Sequence, residues 1–391
     1  EAMRRIDGGD EIMQPMVKGP IRFAAEEVRI TSLDDFAEVV FERGWTDGFP
    51  VFPPTRERVR TLIQYLGREP GEVVGTVTPG EGIATIEAIA VNCAMAGCKP
   101  EYMPVVMAIL EALLDKRYHL LNSQASTIGG PPLIIISGPV VKKLGFNYAE
   151  GTYGGSGHRA NGTVARAIRL ILWNIGQGKP GEMAKAVFGT PLRWGSLIVE
   201  RPRDDGNPWE EFHVTAAGLR PEDSAVSVLD GRGAYVHTPF ARAGSSVEPA
   251  LPYIAQQLLM SDIGAGGGGT VVLAVNPDMA NMVANEGWSK QRFRDALYEH
   301  CYETVGQVTE MERALGGIDA NVTVKHHWSS RVVGDEKDPQ ARVYSVADPS
   351  HLAILVSGGV GGGHVCYFWR GGRHSSDGSG LVTKKIDWEW E

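Results

Sequence analysis

The sequence predicts an α/β fold: a mixed or mainly parallel sheet with helices on both faces. Apolar runs of strand length at Leu133–Ser137, Thr270–Val275 and Ala353–Val356 are too continuous for a sheet with one wet face. Helix-patterned stretches alternate with them, the clearest carrying Ala165, Ile168, Leu172 and Ile175 at helical spacing. A third observation is internal similarity. PPLIIISGPVVKKLGFN resembles GTVVLAVNPDMANMVANEGWS, each an apolar strand, a polar-Pro turn and a short helix, and HLAILVSGGVGGGH supplies a further strand. The similarity reads either as chance or as two pseudo-repeated βα lobes with a cleft between them.

The elements follow in order. Residues 1–28 read as an N-terminal arm and 29–391 as a single α/β body, divisible into lobes of about 29–200 and 201–391. Ser32 caps a helix to Gly44 with Phe36, Val39 and Val40 on its apolar side. Prolines forbid regular structure in GWTDGFPVFPPT, Gly44–Thr55, and Thr55 caps the next helix, Arg56–Leu66. Val73–Val77 is a short strand. Thr85–Cys98 and Pro100–Leu114 are consecutive helices broken at Gly97 and Pro100. After the Leu133–Ser137 strand, a helix runs from Asn161 and closes at Gly176. Strands around Ile198 and over Ala225–Asp230 and a helix over Pro249–Leu259 complete the pattern.

Composition narrows the function classes. A net charge of −9 and a pI near 5.7 argue against a nucleic-acid surface, and basic residues form no long runs. No apolar stretch approaches the roughly 18 residues that span a bilayer. The polar N-terminus lacks a signal-peptide core, and four cysteines in 391 residues are not a disulfide framework, so a cytoplasmic, reducing setting is expected. Glycine, 49 of 391 residues, exceeds the usual ~7% without a collagen period. It marks tight turns and close backbone approaches.

The densest chemistry lies in GTYGGSGHRANGTVARAIRLILWNIG, Gly151 to Gly176, where a glycine loop runs straight into a helix start. Oriented N–H groups and the positive end of the macrodipole suit an anion there. Gly155 and Gly157 let a ligand approach the backbone, and Arg159, Asn161 and Arg166 are candidate substrate-binding residues. The same residues also read as a glycine-rich turn whose arginines pair with acids elsewhere. His158 in this loop is a candidate acid or base, or a structural histidine. In the Trp45-Thr46-Asp47 loop, Trp45 is a pocket wall and Asp47 a candidate catalytic carboxylate, although turn chemistry explains an Asp-Gly pair equally.

Cys93 and Cys98, five apart on one helix, are expected on different faces, unbonded and buried. Cys98, beside Gly97 and Lys99, is the candidate reactive thiol. GAGGGGT (264–270) matches G-x-G-x-x-G but follows a helix-like run, the wrong context for a dinucleotide. SGGVGGGH (357–364) follows a strand, but His364 stands where the third glycine belongs. Walker A, HExxH and GxSxG are absent, and His326-His327 and His351 lack the spacing of a zinc site. No metal is expected, and the sequence names no cofactor.

GWTDGFPVFPPT, NCAMAGCKPEYMPVV, LIIISGPVVKKLG, GHRANGTVARAIRLIL and NPDMANMVANEGWSKQRFRDAL occur in this order between Gly44 and Leu297. Together they resemble the large domain of the bacterial UGSC-motif (seleno)protein family. The resemblance implies thiol or selenol redox chemistry and favours Asn92, Arg159, Asn161 and Arg166, with Trp45 and Asp47, as functional. The U-G-S-C or C-G-S-C motif itself is missing, and Cys366 stands in HVCYFW. Either a small CGSC-type partner chain carries the thiol unit or this branch does different chemistry. The expected function is a small-molecule enzyme for a polar or anionic organic substrate held at the glycine loop. The alternative is a non-catalytic large subunit completed by a thiol- or selenol-bearing partner. A homo- or hetero-oligomer without nucleic-acid or membrane partners is expected in either case.

Overall fold

The structure, a computed structural model, describes residues 21–127, 130–190, 196–240, 246–260, 270–314, 332–344, 346, 348–370 and 380–388. The Gly264–Gly269 cluster and His326-His327 lie outside them.

Local signals set the first elements. Ser32 accepts from the Asp35 N–H to start α1 (Leu33–Glu42), and Thr55 accepts from Arg58 to start α2 (Arg56–Leu66). Gly67, at φ 70°, ends α2 in the left-handed conformation that glycine adopts without strain. β1 (Val73–Val77) and β2 (Gly82–Thr85) form a hairpin. α3 (Ile86–Ala96), α4 (Met103–Leu114) and α5 (Leu120–Ala125) follow. Residues of the expected arm dock here: Ile21 and Phe23 pack on this layer, and the Glu87 carboxylate accepts from the N–H groups of Ala24 and Ala25.

The main sheet begins with β3 (Pro132–Ser137), and α6 (Val140–Lys143) and α7 (Arg159–Asn174) lead to β4 (Leu197–Val199). α8 (Phe212–Ala217) precedes β5 (Ala225–Phe240). Then come α9 (Leu251–Met260), β6 (Val271–Val275), α10 (Pro277–Asn285) and α11 (Lys290–Tyr298). β7 (Tyr302–Thr304), α12 (Val305–Ala314), β8 (Val332–Val333) and β9 (Arg342–Tyr344) make a small satellite sheet with one helix. β10 (Leu352–Val356), β11 (Gly363–Arg370) and β12 (Val382–Lys385) complete the chain.

The sheet is mixed, in the order β10-β6-β11-β5-β3-β4, with β12 also paired to β5. Only β10–β6 and β3–β4 are parallel; the other pairs are antiparallel. β3 has a parallel neighbour on one side and antiparallel β5 on the other, just as β6 lies between parallel β10 and antiparallel β11. β5 runs well past the expected end at Asp230. Gly231 and Gly233 suggest a turn, but β11 pairs along 231–240 and holds the strand extended.

Alternating side chains sort the core. Ile134, Ile136, Val226 and Val228 pack under α2, α3, α4 and α7, while Val271, Leu273, Ile354 and Tyr367 pack under α9, α10 and α11. The intervening residues, Leu133, Ile135, Leu229, Val272, Leu355 and Phe368, form a third cluster with Phe212 of α8. The end strands β4 and β10 touch: the Arg201 N–H donates to the Val356 carbonyl at 2.8 Å, and the Ser357 hydroxyl to that of Val199 at 2.5 Å. The sheet therefore curls until its two edges are clasped at one corner.

Candidate functional site

The glycine-rich helix start is built largely from self-satisfied groups. Asn161, 1% exposed, accepts from the Asn147 N–H at 2.8 Å and donates to the carbonyls of Asn147 and Thr152. It bolts the loop to α7 and has little bonding capacity left for a ligand. Gly155 is required by that bolt, because at φ 67° a Cβ there would sit 2.5 Å from the Cβ of Asn161. Gly157 turns the chain at φ 81° with open space around it. His158 precedes the first turn of α7 and is exposed.

Arg166 takes the second of its two expected readings. Its guanidinium donates to Asp47 at 2.7 Å and to the Phe49 carbonyl, and stacks over the Phe49 ring. The Asp47 side chain is 0% exposed and that of Arg166 is 19%. Asp47 Oδ2 and Arg166 Nε have no hydrogen-bond partner among the described residues. One helical face continues the seam: Trp173 donates to the Gly44 carbonyl, and Asn174 to the Trp45 carbonyl and the Asn92 side chain. Asn92, Trp45, Asp47 and Arg166 do come together, as a seam that docks the proline-rich loop on α3 and α7.

Arg159 and Cys98 share a cleft of about 420 Å³ with Phe52, Arg58, Ala94 and Gly97. The Arg159 fork already closes on the Gly97 carbonyl, at 3.1 and 3.0 Å. The expectation that Cys93 and Cys98 sit on different faces fails. Helix α3 stops at Ala96, and Gly97 at φ 83° turns the chain back. Both thiols are free and buried.

The second glycine loop also presents N–H groups to an anion, and the anion belongs to the chain. Gly361 and Gly362 donate to Asp278 Oδ2 at 2.7 and 2.8 Å, while Asn276 donates to the carbonyls of Gly359 and Gly362.

A cleft of about 1060 Å³ opens elsewhere, at the N-terminal ends of β6 and β10, beside α8 and α11. Thr270, Trp288, Ser289, Lys290, Arg203 and Arg294 are among its lining residues. Behind Lys290 lies Glu200, 1% exposed, at the end of β4. Glu200 Oε2 accepts from the Phe212 N–H at 2.5 Å. Oε1 lies 4.0 Å from Lys290 Nζ and has no hydrogen bond among the described residues. Lys290 donates to the Glu210 carbonyl at 2.5 Å. Burial pushes Glu200 up to about 8, against the pull of Lys290, and burial pushes Lys290 below the usual lysine range. Burial thus shifts each of the two groups toward its uncharged form.

Sequence reasoning missed this pair, although two signals were present. A glutamate ends the otherwise apolar strand LIVE, and a lysine follows the helix cap Ser289, where the macrodipole opposes a cation. Among the described residues, no group of three or more His, Cys, Asp or Glu is placed to hold a metal, and no helix is long and apolar enough to cross a membrane. No protein-family model, curated protein or solved structure matches the chain.

Proposed function

We propose that the protein is an enzyme for a small anionic organic molecule, bound in the cleft at α11, with Lys290 as the proton-transferring group. One observation carries the reading: a mostly buried lysine on the wall of a roomy cleft and a fully buried glutamate behind it, displaced toward each other in pKa. Perturbed pairs of this kind are the equipment of acid–base catalysis. In its neutral form Lys290 accepts a proton from the substrate, and Glu200, 4.0 Å away, stabilises the resulting ammonium once it is itself ionised. Arg203 and Arg294, which also line the cleft, favour a carboxylate on the substrate. This keeps the substrate class expected from the sequence and moves its site from α7 to α11.

The test is an incubation of wild type and Lys290→Met with a metabolite extract, followed by mass spectrometry. Wild type should deplete a carboxylate-bearing compound that Lys290→Met leaves untouched, with both proteins equally folded by circular dichroism. Equal depletion by the folded variant would sink the proposal.

A further inference from the structure

Helix α3 ends in a Schellman turn: the Cys98 N–H donates to the Cys93 carbonyl at 3.0 Å and the Gly97 N–H to that of Ala94 at 3.1 Å. Such a turn folds the residue after the glycine back over the residue that begins the last helical turn, and here both are cysteines. Their side chains meet: contact with the Cys98 thiol, together with burial, holds Cys93 well above the usual thiol range. The two positions are not equivalent. Cys93 is 0% exposed, whereas Cys98 lines the 420 Å³ cleft and points its sulfur at the Thr163 carbonyl, 3.3 Å away. Arg58 and Arg159 line that same cleft. The turn itself is fastened from outside. Phe52 donates its N–H to the Met95 carbonyl at 2.9 Å, and the Arg159 fork closes on Gly97. A thiol lining the cleft, a second thiol behind it and two arginines among the lining residues are thus held in one place.

We propose that Cys93 and Cys98 form a dithiol–disulfide couple that reacts with carboxylate-bearing low-molecular-weight disulfides entering this cleft. The Cys98 thiolate attacks one sulfur of the incoming disulfide RSSR. That S–S bond breaks, a Cys98–S–S–R bond forms, and the first RS⁻ leaves and is protonated to RSH. The Cys93 thiol gives its proton to solvent and attacks Cys98 Sγ. The Cys93–Cys98 bond forms as the second RS⁻ leaves, again to become RSH. Two protein thiols are oxidised and one RSSR is reduced to two RSH. The arginines recruit the carboxylates, so an anionic disulfide reacts faster than a cationic one.

Glutathione disulfide and cystamine are the anionic and cationic probes, applied to the full chain with peptide mapping by mass spectrometry. Wild type should lose two hydrogens from the 93–98 peptide, release two glutathiones per chain, and recover on dithiothreitol treatment. Cys93→Ser should stop at a Cys98–glutathione adduct, and Cys98→Ser should place no adduct on Cys93. The pair Arg58→Ala and Arg159→Ala should slow glutathione disulfide about tenfold and leave cystamine unslowed. A stable glutathione adduct on wild-type Cys98, or a 93–98 peptide that stays reduced while Cys366 is oxidised, overturns the couple. Equal slowing of both probes overturns the role of the arginines.

Discussion

Arg159 opens α7 and Lys290 opens α11, each a basic residue where the macrodipole disfavours one. Arg159 is exposed and meets its need by forking onto the Gly97 carbonyl. Lys290 is turned inward against Glu200, 4.0 Å away, and burial shifts both toward their uncharged forms. The first sits in a glycine-rich stretch that looks like a binding motif, whereas the second sits in no glycine-rich loop. The contrast teaches that a loop's composition describes its backbone, while a site is marked by charge whose needs the fold leaves unmet.

The largest test of that contrast is Lys290→Met. It should lower turnover of whichever carboxylate the wild type consumes by about 10²–10⁴-fold, the range for a positioned acid–base group. Arg159→Ala should leave that rate unchanged, and equal losses in both would erase the distinction. Next comes the seam beneath α7. Asp47→Ala strands a largely buried guanidinium and should cost about 3 kcal/mol in urea unfolding, the low end for breaking a buried pair. A loss near zero would return Asp47 to the catalytic candidates.

Glu200 gives a pH signature. Its folded pKa, about 8, lies above its ordinary 4.5, so the folded state binds the extra proton. The stability this contributes is complete below about 4.5 and is lost as pH rises through about 8. Glu200→Gln should flatten that decline in unfolding free energy between these limits; an unchanged slope would mean that the carboxyl is already ionised when folded. The smallest effect is expected for Arg159→Ala, about 1 kcal/mol or less of stability, because its bonds to Gly97 are exposed to water. A loss of several kcal/mol would make Arg159 a structural anchor rather than a fastening of the cysteine turn.

Local physics was the legible part of the chain. Thr55 and Gly67 bracket α2 by their own capping chemistry, and the uniform apolar runs at β3, β6 and β10 announce strands buried on both faces. What misled was mostly non-local or stereochemical. β5 outruns Asp230 because a partner more than a hundred residues away pairs with it. Cys93 and Cys98 meet because α3 stops at Ala96; treating the helix as continuous to Cys98 sets them on separate faces. Arg166 admits two readings from its local sequence, and its ion pair with Asp47, across the fold, supports the second. Glu200 and Lys290 are ninety positions apart, so nothing local joins them.

The pairing of β12 with β5 governs the order in which this molecule is completed. Val382 and Ile386 belong to the helical cluster otherwise made from residues 59–228, Trp388 stacks on Tyr65, and the Ile386 N–H donates to the Ser224 carbonyl. A ribosome makes residues 382–388 after everything between them and β5. Until they emerge, the edge of β5 at Ala225–Val228 stands open beside an unsealed apolar layer. The apolar layer built from Val59 to Val228 is thus sealed only once Val382 and Ile386 are in place, and a chain lacking them presents an adhesive strand edge.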